Sequence, residues 1–394
     1  MRAPHTAHPF PAFPVYSCAF VADDQFVVGG GGGASRTGIK NKLRLFRVSD
    51  DRQLNILSEL ELEKDEDAPM SMASHIESRT LVCGINSSAA KLENSGVNEN
   101  CRKFSIGGDE YKQLVTRGTL SSRNADDYQR VTVVSPDGRF LAVAGEHDFS
   151  LLAYDTLSLI CHPIHVTNGE IYDATFSSSH VILATSSSIS FYALPTFSAV
   201  DNEKSPRSKK KGKHKSGPQL SERDTSLQEL KLVKAFEPPS ISGVPFGSRI
   251  IFRAVRLHPL QQDTLYTVVN VTLPRAPKTK TAKKRAYVQK WKITSSSEDH
   301  TFDARVEVTR KTCDGNLTCF DASPDGKLLA FGASDYSLGV LDSTTLAPLL
   351  SILKAHEFPV TTVRFNPTSK LLVSGGVDSS LRVVSISEKL GGQC

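Results

Sequence analysis

The sequence predicts an all-β chain folded into a seven-bladed β-propeller, and three observations carry that prediction. First, one unit recurs: an alternating strand, a tight polar turn, a second apolar strand, an Asp-bearing turn and a third strand. Second, the tight turn keeps its chemistry, as S-P-D-G at 135–138, S-P-D-G at 323–326 and N-P at 366–367. Third, short period-two runs broken by Gly, Pro and Asp fill the chain, and no long segment has the periodicity of an amphipathic helix. At 394 residues, 39% of them apolar, the chain can build one large repeat domain.

The clearest copies come from the second half and the middle of the chain. "AHEFPVTTVRFNPTSKLLVSGGVDSSLRVVSI", "LTCFDASPDGKLLAFGASDYSLGVLDSTTL" and "VTVVSPDGRFLAVAGEHDFSLLAYDTLSL" share one order that resembles a WD-repeat blade. Asp378, Asp335 and Asp148 hold the hairpin position. Val384, Leu341 and Tyr154 stand where that repeat usually has Trp, and Asp342 and Asp155 complete two W-D-like pairs. Weaker copies complete seven blades, at about 15–48, 70–106, 128–160, 169–198, 229–293, 314–350 and 355–390, all in a single propeller over 1–394. The fifth contains "YVQKWKI" with the only tryptophan, Trp291. A lone four-stranded blade buries little, so radial packing must supply the core. A strand from "FPAFPVYSCAF", Phe10 to Phe20, is expected to close the ring beside "LRVVSI".

Charge and cysteine usage narrow the class. Lys204 to Lys215 carries seven Lys/Arg and Arg275 to Arg285 six, and removing these thirteen from the net charge of +5 leaves −8 for the rest. The stretches 200–228 and 271–286 therefore read as basic, disordered insertions in a mildly acidic body. Nuclear-localisation or RNA-binding readings rest on composition alone and lack interleaved aromatics, so no nucleic-acid partner is expected. Seven scattered cysteines without a C-x-x-C pair suggest reduced thiols, and the Asn86, Asn270 and Asn316 sequons are then chance matches. No apolar run approaches a membrane span, and Pro4, Pro9, Pro11 and Pro14 occupy the place of a signal-peptide core, so the chain reads as soluble and not secreted.

The stretch "FVVGGGGGASRTGIKNKLRLF" departs from the repeat. Aligned on the last blade, it places twelve residues, Gly31 to Lys42, where the simple unit has Val377 to Ser380, an eight-residue insertion between the second and third strands. A phosphate-binding loop needs G-x-x-x-x-G-K-[ST], but Gly33 and Gly38 are followed by Ile39, Lys40 and Asn41. A dinucleotide fingerprint cannot be drawn from 29–38, and a strand follows in place of a helix. A mobile surface hairpin is the ordinary fate of such composition. Against it stands Ile39, an apolar residue on an exposed tip, which suits a partner's pocket.

"GGGGASRTGIKN" after a first-blade strand of such a propeller resembles the ER-membrane guanine-nucleotide exchange factors that load the Sar GTPase to start COPII coat assembly, relatives of the prolactin regulatory element-binding protein. The propeller pattern covers nearly the whole chain but is widely shared, so the loop alone discriminates. The resemblance implies that Thr37, Gly38, Ile39, Lys40 and Asn41 contact the GTPase near its nucleotide site. It also implies that Gly30, Gly31, Gly32, Gly33 and Asn41 hold a potassium ion, mostly through backbone oxygens. It places the protein on the cytosolic face of the ER, attached by a C-terminal span that this sequence does not contain; truncation is the favoured reason.

Exchange makes no covalent bond, so no general base or nucleophile is required. His356 takes the repeat's structural His position with Asp378 as its partner, Asp137 and Asp325 are turn formers, and His75, His162, His165 and His258 lack metal spacing. Cys313 and Cys319 read as packing residues. Arg275 to Arg285 is expected on the glycine loop's face, against acidic GTPase surface or anionic ER lipid, with solvated disorder as the plainer reading. Ile85 to Asn100 should share that face. The competing functions are a WD-repeat scaffold that docks proteins without altering them and, third, an enzyme using the central channel.

Overall fold

The structure, a computed structural model, describes residues 3–34, 38–108, 110–122, 126–195, 227–277, 281–296, 301–387 and 390. Seven four-stranded antiparallel sheets stand around a channel, as the repeat predicts. Blade one shows the plan. Its strands are Val15–Phe20, Gln25–Gly30, Lys42–Val48 and Leu54–Glu61, with the first on the channel and the last at the rim. Strand two is buried at every residue, while the rim strand alternates and carries charge. That gradient follows from the ring: inner strands are covered on both faces by neighbouring blades and must be apolar throughout.

Ring closure differs from the expected strand. His5–Pro9 lies outermost on the last blade, pairing in register from His5 opposite Val384 to Pro9 opposite Ser380. Phe10 N–H extends the ladder to Ser379 O at 2.7 Å, and Ser385 N–H reaches Pro4 O at 2.9 Å. The chain then turns at Ala12, whose φ is +57°, and Val15–Phe20 becomes the inner strand of blade one. The physical reason is burial. Val15–Phe20 is apolar enough for the channel wall, whereas "HTAHP" is short, half-exposed and ends in a proline that suits only an edge.

Blade borders also shift where the rim strands are exposed. Blade two runs on to Glu110–Arg117. Leu232–Phe236 is the fourth strand of blade four, and Arg249–His258, Gln261–Thr272, Lys284–Ser296 and Thr301–Cys313 make blade five, so the 229–293 assignment moves down the chain. Most of the basic stretch 200–228 lies outside the described residues. The other, 271–286, is not a disordered insertion in its described part. Val271 pairs with Arg285 and Thr272 with Lys284, and Leu273 N–H donates to Lys283 O at 2.9 Å, leaving only 278–280 undescribed. Valine, threonine and the buried Ala286 simply continue the ladder. A seven-residue helix, Ala89–Ser95, was not expected; Ser88 caps its start and Gly96, at φ +70°, its end.

The small polar devices fall as read. His356 Nδ1 stands 3.1 Å from Asp378 Oδ2, its Nε2 2.9 Å from Ser374 Oγ, and Glu357 N–H donates to Asp378 at 2.8 Å. The carboxylates of Asp137 and Asp325 accept from Ser135 and Ser323 at 2.6 Å inside their turns. The six described cysteines are free, and burial pushes the Cys18 thiol up to about 12. Among the described residues no three His, Cys, Asp or Glu form a metal cluster, and no helix is long and apolar enough to cross a membrane.

Two outcomes follow. Deleting residues 1–9 removes five paired positions and the packing of Ala3 on the last blade. At about 0.5–1.5 kcal/mol per hydrogen bond the loss is on the order of 3–5 kcal/mol. Urea unfolding should show that drop together with self-association on gel filtration, whereas an unchanged midpoint would return closure to residues 10–20. Burial, partly opposed by Asp378, lowers the His356 pKa below 6.5. A folded-state pKa lowered below the unfolded value means that the unfolded chain takes up the proton first. This histidine's contribution is therefore present above about 6.5 and is lost as pH falls below it. His356→Gln should flatten the decline of the thermal midpoint between neutral and mildly acidic pH.

Candidate functional site

The glycine run is two structures. Gly29 and Gly30 are strand residues, paired with Leu43 and Lys42 on one side and with Ser17 and Val15 on the other. A Cβ on Gly29 would stand 2.6 Å from Pro69 Cβ, and one on Gly30 2.4 Å from Pro14 O, so close packing requires glycine there. The loop begins at Gly31, whose N–H donates to Pro14 O at 2.9 Å, and ends at Asn41, eleven residues against three in the last blade's hairpin. Gly31 at φ +140° and Gly33 at φ +70° take backbone angles that other residues avoid.

Asn41 organises this loop. It is buried, its Oδ1 accepts Gly33 N–H at 2.9 Å, and its Nδ2 donates to Gly33 O at 3.0 Å and to Glu66 O at 2.7 Å. Its carbonyl accepts Leu62 N–H at 2.9 Å. The eleven-residue excursion is thereby stapled at its base to the connector 62–70 between blades one and two. Asp67 adds a second tie: its carboxylate accepts Ala34 N–H, and burial raises its pKa. Lys40 pairs with Glu61 at 2.5 Å on the exposed side. Ile39 is partly buried and not displayed at a naked tip, while Gly38 is exposed. Thr37, with Ser35 and Arg36, lies outside the described residues.

Behind the connector stands a pair that no sequence pattern announces. Glu66 is 2% and Arg102 4% exposed, and Arg102 Nη1 is 2.8 Å from Glu66 Oε1. Glu66 Oε2 accepts Glu63 N–H at 3.1 Å and Arg102 Nε donates to Glu99 O at 3.1 Å. Arg102 Nη2 is buried without a hydrogen-bond partner among the described residues. Such a pair costs desolvation and fixes geometry in return. It ties the connector under the loop to blade two, whose own insertion, Ile85 to Asn100, joins through Asn86 O accepting Asp67 N–H at 3.1 Å. The only advance signal was a Glu in a connector and an Arg opening a strand, which occur anywhere.

Second-to-third-strand hairpins and blade-to-blade connections lie on one face of the ring, so the loop, the helix Ala89–Ser95 and the hairpin 273–283 share it. The channel also opens there as a cavity of about 390 Å³. Of the charged groups that line it, Arg256 meets Asp173 at 2.5 Å, Arg364 and Arg130 reach Asp321 at 3.3 Å and Glu170 at 3.1 Å outside the lining, and Arg253 lies over the Tyr172 ring.

For a cation, the group the loop brings near is the Asp67 carboxylate, whose Oδ1 lies 3.4 Å from the place of a Gly33 Cβ, an oxygen donor of the kind a hard ion takes. Burial disfavours the charge on Asp67, and a cation beside it would relieve that cost. The Asn41 amide is committed to the staple, and Gly30 to the sheet.

Comparison with known proteins agrees with this architecture. The family model described as WD domain, G-beta repeat matches residues 347–385. Over 136 residues the chain is 32% identical to the guanine nucleotide-exchange factor SEC12 of Candida glabrata, covering 34% of this chain and 29% of that protein. Over 396 residues it is 22% identical to a SED4 protein of the same yeast, covering 96% of this chain and 32% of that one. The chain thus spans about a third of the length of the relatives it matches. The crystal structure of Chaetomium thermophilum Raptor superposes with a TM-score of 0.61 at 11% identity over 97% of this chain and 28% of that one, a likeness of fold.

Removing Arg102 leaves Glu66 buried and uncompensated, so Arg102→Ala is expected to cost about 3–5 kcal/mol. Asn41→Ala leaves a connector carbonyl without its donor and should cost about 1–3 kcal/mol. Amide exchange separates the two: Asn41→Ala speeds exchange at Gly33 and Leu62 with the propeller core unaltered, while Arg102→Ala lowers protection across blade two. Uniform acceleration in both variants would contradict a local staple.

Proposed function

We propose that the chain, a homologue of proteins named as SEC12 and SED4, is the exchange domain of a guanine-nucleotide exchange factor for a Sar-type small GTPase, acting at the ER membrane to start COPII coat assembly. The observation that supports this reading is a loop eight residues longer than the repeat needs, held at its base by a buried asparagine on a rigid ring. Thr37, Gly38, Ile39 and Lys40 form the GTPase-facing segment, and Asn41 acts from beneath it by holding the loop's base. Potassium, where bound, would supply a positive centre beside the Asp67 carboxylate, with the carbonyls of Gly31 and Gly32 as its donors and that of Gly33 already accepting from Asn41.

The chemistry is differential binding. Exchange accelerates when the propeller holds the nucleotide-free GTPase better than the GDP-bound form, and a thousandfold faster release corresponds to about 4 kcal/mol. A loop that frayed in the free state would spend that difference on its own ordering, at about 1–2 kcal/mol per residue fixed. The Asn41 staple removes much of that cost beforehand, and Ile39, partly sheltered beside it, is the apolar group offered to the partner.

The test is release of a fluorescent guanine nucleotide from a Sar-type GTPase, in potassium and in a buffer with potassium replaced by choline. The wild-type domain should accelerate release strongly. Ile39→Ala should retain at most about a tenth of the effect, Asn41→Ala less, and choline should weaken the wild type. Asp67→Asn should lose the dependence on potassium. No acceleration in either buffer would sink the exchange reading and leave a docking scaffold to be pursued by partner capture.

A further inference from the structure

Across the ring from the glycine loop, on the same face, the connection from Phe236 to Arg249 carries a side chain that the fold does not use. Phe246 is 104% exposed, more than any other large apolar residue among those described. An aromatic in water is ordinarily the mark of a frayed loop, yet this one is held. Ser248 N–H donates to Pro245 O at 3.3 Å and Ser248 Oγ to the same carbonyl at 2.7 Å, closing a turn with Phe246 at its second position and Gly247 at φ +80°. That is the geometry of a type II turn. One turn earlier, Val244 N–H donates to Ile241 O at 3.1 Å, and Ile241 and Val244 pack on the core between blades four and five. The loop is anchored, and its tip presents a phenyl ring.

Beside it stands the basic hairpin. Arg285 Nη1 donates to Gly243 O at 3.4 Å, and Pro274 lies against Gly247. Lys283, Lys284 and Arg249 are exposed. None of these three, nor Arg285, is ion-paired with a carboxylate among the described residues. The acids in view are Glu237, which begins the loop, and Asp314, which feels Arg285 and Lys283 but is bonded to Lys311 at 2.5 Å.

We infer that this corner is an interfacial anchor for an anionic lipid bilayer, with Phe246 entering the headgroup layer and Arg249, Lys283, Lys284 and Arg285 lying on its charged surface. A convex aromatic tip needs a pocket to dock on a folded protein, whereas a headgroup layer deforms around it. The long lysine stems let charge stay at the phosphates while the ring goes deeper. The positive charges add attraction that fades with salt. The ring's loop-bearing face would then turn toward the membrane, whatever partner that face binds.

The experiment is vesicle flotation of the full chain with phosphatidylcholine alone and with phosphatidylcholine containing phosphatidylserine, at low and physiological salt. The wild type should partition at least about ten-fold better onto the anionic vesicles, less so as salt rises. Phe246→Ser should weaken that partitioning by roughly ten-fold, and Lys283→Glu with Lys284→Glu should abolish it. Phe246 makes no packing contact, so its variant should keep the wild-type thermal midpoint. Equal recovery with both vesicle types would overturn the inference, as would vesicle binding indifferent to Phe246. Retention on immobilised polyglutamate that exceeds vesicle binding and is indifferent to Phe246 would overturn it in favour of an acidic protein.

Discussion

Everything in this molecule depends on closing the ring. A four-stranded sheet of this size cannot cover both of its faces, so each blade's buried second strand exists only because its neighbours stand against it. That dependence runs around the circle and would fail at the junction between last and first blades. There the short strand His5–Pro9 joins the sheet of Val360–Ser385, while Arg52 of blade one reaches across to Thr6 at 3.3 Å. Closure sets the angle of every blade, and so fixes which loops meet on which face.

With the ring rigid, a loop needs only a few fixed points to hold a shape. The glycine loop has them at Pro14, Leu62, Glu66 and Asp67, and all lie in blade-to-blade connections. Its position is therefore tied to the seam between blades one and two more than to either blade alone. The buried Glu66–Arg102 pair bears on that seam from the other side. Replacing it by apolar residues of similar volume could leave stability unharmed, but would lose the directional bonds that set the height of the connector beneath Asn41.

The fold was legible because the turns repeat their chemistry: S-P-D-G, N-P and the His356–Asp378 pair mark blades whatever the strands contain. The rim strands were less so. Glu110–Arg117 is largely polar and Leu232–Phe236, though apolar, is a short run exposed at four of its five residues, so neither shows the buried-and-exposed alternation that announces a strand, and the borders slid accordingly. Closure was misread because Phe10–Phe20 looks like a strand and is one, while "HTAHP" looks like a tail. At the site, sequence gave the loop's place and excess length, and Asn41 as its far end. It gave neither Glu66, Arg102 nor Asp67, because a contact across a connector leaves no periodic trace.

The glycines themselves reward a second thought. Five in a row suggest flexibility, yet Gly29 and Gly30 are among the most confined residues of the blade, and Gly31 fits only because nothing projects toward Asn41 Oδ1, which would stand 2.2 Å from its Cβ. Glycine serves close approach in the first part of the run and unusual φ in the second. One composition thus meets two demands within a single run, tight packing at Gly29 and Gly30 and left-handed backbone at Gly33. A stiff base would matter to any loop that acts on a partner, because load placed beyond it would pass to the seam and would not be dissipated in loose chain. Exchange by wedging and passive docking would differ in that respect, since docking asks only for surface complementarity whereas a wedge must be stiffer than the site it opens.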